Sequence, residues 1–430
     1  MTLSGSPWRV SAHPTAIAGS MLRVPLPQVA IGELCLLHAS AADDTVVGQG
    51  VVVALEHGIA SVGLLQDSTG LSVQCLVTPS GHPPSVAASW AQLGSVIDGL
   101  GHEVERLAPA QAGPQQVRPL SGNGSDYRLR QPVDTVLPTG VRAIDGLLTC
   151  GEGQRVGIFA GAGAGKTTLA EMLLDNAAVD VAIVALVGER GREVATLVER
   201  MRGSPRASRC IIVQATSDTA PAVRCNAAQL ATTLSEYFRD QGQRVLLVLD
   251  SVTRYARALR ELALAAGELP ARRGFPASVF EALPRLLERA GRSDHGSITA
   301  FHTVLLEDEN EADPIGEEVK SLIDGHLYLS SKLAGRGHYP ALDVLRSGSR
   351  LFGQLACPAQ KAAVNRLRGV LGTLDDLQLM RELGEYKPGI SDQYDKAIAL
   401  EPQLLAFLQQ PAEQACALDQ TLEALHALAR

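Results

Sequence analysis

From Val156 to Leu169 the chain reads Val-Gly-Ile-Phe-Ala-Gly-Ala-Gly-Ala-Gly-Lys-Thr-Thr-Leu, residue types suited to holding a chain of phosphates. An apolar strand runs into a glycine-rich turn, then Lys-Thr, then a helical pattern, which is the context a phosphate-binding loop requires. Gly161, Gly163 and Gly165 let the backbone turn its amides inward, with Ala162 and Ala164 adding amides without bulk. The helix N-terminus that opens at Lys166, Thr167 and Thr168 adds partial positive charge. Lys166 is placed to reach the β- and γ-phosphates, and the Thr167 hydroxyl suits Mg²⁺. Ala160 stands where the usual pattern has its first Gly, and is acceptable there if its φ is negative. An ordinary glycine turn would not combine strand, spacing, Lys-Thr and helix, so the expectation is a nucleotide-binding chain.

Two carboxylate positions extend this chemistry. Val245-Leu-Leu-Val-Leu-Asp250 is an apolar strand ending in a carboxylate, the Walker B arrangement that holds the water shell of Mg²⁺. Val181–Val187 is a second apolar run, ending in Gly-Glu189-Arg190-Gly-Arg-Glu193. Hydrolysis needs a carboxylate to orient the attacking water; Glu189 or Glu193 is able to supply it, and spacing leaves the choice open.

Elements must carry these groups. A chain of 430 residues is too long for one core, and 46% hydrophobic residues with 4% aromatic imply aliphatic interiors. Short apolar runs (Val29–Ile31, Leu34–Leu37, Val46-Val47, Val51–Leu55, Ala60–Leu65) separated by turn residues predict a small β-barrel over 1–85. The Pro/Gln/Gly/Ser-rich stretch Ala108–Tyr127 reads as an exposed connection. Buried-type strands alternating with helices predict a parallel sheet in an ATPase domain over 86–352. Helically spaced Val364, Leu367, Val370, Leu371, Leu374 and Leu377, then Leu418, Leu422, Leu425 and Leu428, predict a helical domain over 353–430. The fold class expected is α/β, a P-loop NTPase of RecA-like type flanked by barrel and helices. Seven dispersed Cys without C-x-x-C spacing read as free thiols, not a disulfide scaffold or zinc site. A net charge of −8 argues against a nucleic-acid binder. The N-terminus lacks an apolar leader core and no run of 18 apolar residues occurs, so any membrane association is expected to be peripheral.

The motifs together resemble the hexameric rotary-type ATPases and, within them, the type III secretion ATPases. The similarity is dense in Leu137–Gly146, Cys150–Ala160, Gly188–Val194, Asp250–Glu261, Leu283–Gly291, Gly296–Glu309 and His338–Leu345. The resemblance implies that Glu189 is the catalytic carboxylate, that Arg190 contacts the γ-phosphate within the same subunit, and that Arg350 is an arginine finger for the neighbouring subunit's nucleotide. It implies that Tyr339 packs on adenine, with ATP and Mg²⁺ bound. It also implies a homohexamer, central-stalk and peripheral-stalk or regulator partners, chaperone–effector complexes as cargo, and a cytoplasmic position at the bacterial inner membrane. A flagellar export ATPase shares the same chemistry. A hexameric nucleic-acid translocase is disfavoured because basic and aromatic pore groups are few. Ser331 and His302 depart from the family's Arg and Tyr, and both are expected to lie away from the phosphate loop.

Overall fold

The computed structural model describes residues 10–40, 43–122, 127–309 and 311–430. The first ten strands are β1 (Ala16–Ala18), β2 (Met21–Val24), β3 (Leu34–Ser40), β4 (Asp43–Glu56), β5 (Ile59–Leu64), β6 (Leu76–Pro79), β7 (Ser85–Ser89), β8 (Ser95–Asp98), β9 (Glu103–Arg106) and β10 (Gln115–Pro119). Then come β11 (Arg155–Ala160), β12 (Val181–Val187), β13 (Cys210–Ala215), β14 (Arg244–Asp250), β15 (Gly291–Arg292), β16 (Ser297–Leu305), β17 (Gly325–Leu329) and β18 (Leu342–Ser349). The helices are α1 (Arg142–Leu147), α2 (Lys166–Asn176), α3 (Gly191–Arg202), α4 (Pro221–Asp240), α5 (Val252–Ala265), α6 (Ala277–Leu287), α7 (Pro314–Leu322) and α8 (Ser331–Gly335). The C-terminal set is α9 (Phe352–Leu355), α10 (Pro358–Glu382), α11 (Asp392–Leu408) and α12 (Leu418–Leu428). Two compact units result, one holding the described part of 1–125 with 183–238 and 249–289, the other the described part of 126–182 with 239–248 and 290–430.

In the first unit, six antiparallel strands run in the order β1-β2-β5-β4-β3-β6. A bridge between Ala12, just before β1, and Val77 of β6 closes the sheet on itself. Its core holds Leu22, Leu37, Val62, Leu64 and Val77, all fully buried. The two runs expected around Val46 and Val51 are one continuous strand, β4. Gly50 does not break it; a Cβ there would come 2.6 Å from Val62 Cγ1, so glycine is what admits the neighbouring strand. Val29–Ile31, expected as a strand, lies in the turn region between β2 and β3, with Val29 contributing to the core.

The expected exposed connection after Ala108 also differs. Gln115–Pro119 forms β10, antiparallel to β7. The stretch is tied down by Tyr237, whose hydroxyl donates to the Pro114 carbonyl, and by Arg289 Nη1, which donates to the Leu120 carbonyl at 2.8 Å. Polar composition concealed it because the strand's own side chains are mostly exposed and its partners are remote in sequence. Elsewhere in this unit β8 pairs parallel with β13 and antiparallel with β9.

In the second unit the strand order is β18-β17-β11-β16. β11 is parallel to both β16 and β17, as continuous apolar runs predict. The wholly parallel sheet expected is corrected at its margins, since β18 returns antiparallel on β17 and β15 is antiparallel to β16. The Leu137–Gly146 motif is structural: Asp145, fully buried, accepts from the Thr139 amide and hydroxyl and the Gly140 amide, while burial pushes its carboxyl up to about 6. The helical C-terminal region contains α10 and α12 where apolar spacing placed them, together with α11, which that spacing did not announce. Leu367, Leu377, Leu404 and Leu425 form its buried contacts. Among the described residues no helix is long and apolar enough to cross a membrane.

Candidate active site

In the second unit, β11 delivers the phosphate loop. Val156–Ala160 is buried, and Ala160 ends the strand without a positive φ, which meets the condition for alanine at that position. Gly163 (φ 76°) and Gly165 (φ 86°) are left-handed, a conformation that side chains resist. Gly161 is not, and its reason for being glycine is different: a Cβ there would stand 2.8 Å from Glu309 Oε1. Gly165 then caps α2, and no acidic residue occupies that helix's first turn. The N-terminal partial charge therefore faces the loop without a carboxylate of its own turn. Lys166 is partly buried and Thr167 exposed at this helix start.

Two further groups frame the loop. Tyr339, 40% exposed, sets its ring against Gly165, where a Cβ would come within 3.2 Å of Tyr339 Cε1. Glu309 Oε1 accepts from the Ser331 amide at 3.1 Å and from its hydroxyl at 2.5 Å. Ser331 itself bonds Glu309 and not the loop, and so stands one hydrogen bond from a group packed against Gly161. His302 fits its expectation better, being buried in β16 beside Gly157 of β11. Among the described residues, both its ring nitrogens lack a hydrogen-bond partner. Burial, and secondarily the Arg155 charge, push it down to about 3, so it stays neutral.

Arg350 follows β18. Gly325 pairs with Ser349 across β17–β18 and with Val156 across β17–β11. Arg350 therefore stands at the edge where β11 begins, whereas the loop leaves where β11 ends. The four steps from Val156 to Ala160 span about 13 Å at ~3.3 Å per residue. Arg350 is exposed; its amide donates to the Asp324 carbonyl at 2.8 Å and its Nη2 to the Lys320 carbonyl at 3.4 Å.

The first unit carries the carboxylates. Asp250 ends β14 and is 6% exposed. Glu189 lies just past β12 and is 1% exposed. It is gripped by Arg254 of α5, Nε to Oε1 at 3.1 Å and Nη2 to Oε2 at 3.2 Å. Gly188 permits that approach, with φ 70° and Arg254 Cβ 3.1 Å from where its own Cβ would be. Glu193, by contrast, sits in the first turn of α3, and exposed Arg190 is that helix's N-cap. Sequence reasoning assigned nothing to Arg254 or Glu309. The Asp-Ser-Val-Thr-Arg run offered a signal for the first; the second had none, because its partners lie in other segments.

A strand, a left-handed Gly-Lys-Thr turn and a helix start define a P-loop ATPase, and residues 140–349 match the ATP synthase alpha/beta family, nucleotide-binding domain. Residues 356–427 match the T3SS EscN ATPase C-terminal domain. The chain is 50% identical over 418 residues to the SPI-1 type 3 secretion system ATPase of Salmonella typhi, covering 97% of each. It is 39% identical to the Flagellum-specific ATP synthase of Bacillus subtilis, covering 96% of this chain and 93% of that one. The assembled ATPase EscN of the enteropathogenic E. coli type III secretion system is similar in structure, with a TM-score of 0.90, 39% identity, and coverage of 97% of this chain and 100% of that one. EscN in complex with its central stalk EscO matches with a TM-score of 0.86 and 38% identity, covering 97% of this chain and 100% of that one. The chain belongs to the type 3 secretion system ATPases, enzymes that hydrolyse ATP.

Proposed function

We propose that the chain hydrolyses ATP at sites shared between neighbours in a homohexameric ring, releasing and unfolding chaperone-bound export cargo. The ring would work peripherally at the cytoplasmic face of the inner membrane, turning on central-stalk and peripheral-stalk partners. Lys166 and the amides of Gly161–Thr168 would hold the phosphates, and Tyr339 the adenine. The Thr167 hydroxyl and Asp250 carboxylate are hard oxygen donors of the kind Mg²⁺ takes, the latter through water. When bound, Mg²⁺ neutralises charge developing on the phosphates. Glu189 would orient the attacking water, with Arg190 at the γ-phosphate and Arg254 fixing the Glu189 carboxylate. The functional division would be docking and oligomerisation over 1–85, ATPase over 86–352 and cargo contact over 353–430. The 50% identity to a secretion ATPase against 39% to a flagellar one favours the secretion role.

The observation that supports a shared site is the position of Arg350 at the opposite strand edge from its own phosphate loop. A finger there serves a neighbour's nucleotide, and such a group contributes roughly 10³–10⁵ in rate. Turnover per chain should therefore climb as rings form, measured as Mg²⁺-ATPase activity across protein concentration with mass determined in parallel. Arg350→Ala should keep ATP binding and lose about 10³ in turnover. Normal turnover in that variant, or wild-type turnover indifferent to assembly, would sink the reading.

A further inference from the structure

The two edges of the second unit's sheet are connected by side chains that the ATPase reading does not use. At the loop edge, the Glu309 carboxylate lies against Gly161 and is held by Ser331. The Glu309 carbonyl accepts from Arg346 Nη2 at 2.7 Å. The Arg346 guanidinium sits 4.7 Å from the centre of the Tyr328 ring. That ring stacks on Phe159 at 5.0 Å and 23°, two residues before Gly161 on the strand that delivers the loop. The Lys320 ammonium is 5.7 Å from the same ring, and the Lys320 carbonyl accepts from Arg350 Nη2.

Backbone joins the same points. α7 begins just after Glu309, capped by Asp313, which accepts from the Gly316 amide at 2.7 Å, and it carries Lys320 in its last turn. Its nine residues span about 13 Å at ~1.5 Å each, the distance between the two edges. A cavity of about 280 Å³ is lined by Phe159, Glu309, Lys320, Tyr328 and Arg346. Side-chain contacts around this cavity thus join the two edges alongside the paired strands β11, β17 and β18 and the buried Ile315 and Val319 of α7.

We propose that Glu309 and Arg346 are positioning residues, Glu309 setting the Gly161 end of the phosphate loop and Arg346 linking that loop, through Tyr328 and Lys320, to the Arg350 offered to the next subunit. The proposal rests on the shared-site reading above. It gives one chain two duties that depend on each other: a loop displaced by nucleotide displaces Glu309, and with it the seat of Arg350. Small misplacements of a positioning group cost up to about 10² in rate, so the effect is readable.

The test uses rings built from two full-length chains with different affinity tags, one carrying Lys166→Ala and the other Arg350→Ala. Each alone should be nearly inactive, and the mixed ring should regain turnover where an intact finger meets an intact loop. Arg346→Gln added to the Lys166→Ala chain, which supplies the finger, should lower the regained kcat roughly tenfold and leave KM for ATP unchanged. Glu309→Gln added to the Arg350→Ala chain, which binds the nucleotide, should instead raise KM. Unchanged kcat with Arg346→Gln on the finger-supplying chain overturns the proposal while leaving the shared site standing. No regained turnover in the parent mixture overturns the shared site itself. Where Arg346→Gln fails to assemble by mass or melting temperature, Tyr328→Leu replaces it, and Tyr328→Phe, which keeps the ring, should restore the rate; a Tyr328→Leu rate equal to that of Tyr328→Phe overturns the proposal equally.

Discussion

The two edges of the β18-β17-β11-β16 sheet are built on opposite plans. The edge where β11 ends is backbone: two left-handed glycines, a helix start without a carboxylate in its first turn, and a half-exposed ring resting on Gly165. The edge where β11 begins is side chain: Asp324 takes Arg155 through Nε at 3.0 Å, Nη2 at 3.2 Å and the backbone amide at 3.1 Å, and its carbonyl holds the Arg350 amide. An edge of loop amides at a helix start is suited to receive charge from a ligand. An edge of paired side chains is suited to keep the exposed Arg350 guanidinium, which donates to the Lys320 carbonyl, in a fixed place. On the function proposed above, the same strands would make an acceptor of phosphate at one end and a donor of guanidinium at the other.

The largest effect is expected where the backbone plan is violated. Gly165→Ala forces a side chain into φ 86° and toward the Tyr339 ring. The left-handed penalty is roughly 1–2 kcal/mol, so ATP affinity should fall about tenfold or more, read by nucleotide titration. Gly161→Ala meets only the movable end of Glu309 at an ordinary φ, and should cost about threefold. Equal losses at the two positions would mean that left-handed geometry is not what this edge depends on.

That pair also shows how legible the chain is. The loop, the strand carrying Asp250 and the helical C-terminal region are local patterns, and local pattern is what sequence reading sees. It could not separate Gly161 from Gly165, because one answers to its own φ and the other to a carboxylate 148 positions onward in the numbering. Arg254 escaped for the same reason, gripping Glu189 across 65 positions. β10 escaped because its residues are polar and its partners, Tyr237 and β7, are not its neighbours in sequence. Where β4 was divided, the glycine rule misled: Gly50 serves a close approach, not a break.

A smaller effect should follow at Tyr339. Stacking of a base on an aromatic ring is worth ~1–3 kcal/mol, and a ring 40% exposed should deliver the low end of that range. Tyr339→Leu is expected to raise KM for ATP about fivefold with kcat little changed, and to leave the affinity for inorganic triphosphate where it was. An equal loss with triphosphate would show the ring acting on Gly165 and the loop rather than on adenine.

The smallest effect belongs to the row between the edges, where Gly157 is flanked by His302 on β16 and His326 on β17. His302 is 2% exposed and its two ring nitrogens lack partners among the described residues, at a typical cost of about 1–3 kcal/mol for a buried unsatisfied group. His302→Phe removes that cost and adds some bulk, so a net gain of about 1 kcal/mol is expected at neutral pH. The acid limb gives the sharper signature. The folded imidazole is held down to about 3 while the unfolded one titrates near 6.5, so the native state refuses a proton that the unfolded chain accepts. Its contribution is complete above pH 6.5 and is lost as pH falls toward 3, by up to about 1.4 kcal/mol per unit. Other titrating groups are common to both chains, so the difference between their urea midpoints isolates this one residue. It should widen from pH 7.5 to pH 5.0 in favour of the phenylalanine, with turnover at pH 7.5 unaltered. A constant difference would mean that His302 finds a proton acceptor in the fold. Altered turnover would mean that the middle row takes part in the traffic between the two edges, and that the contrast between them is not confined to their ends.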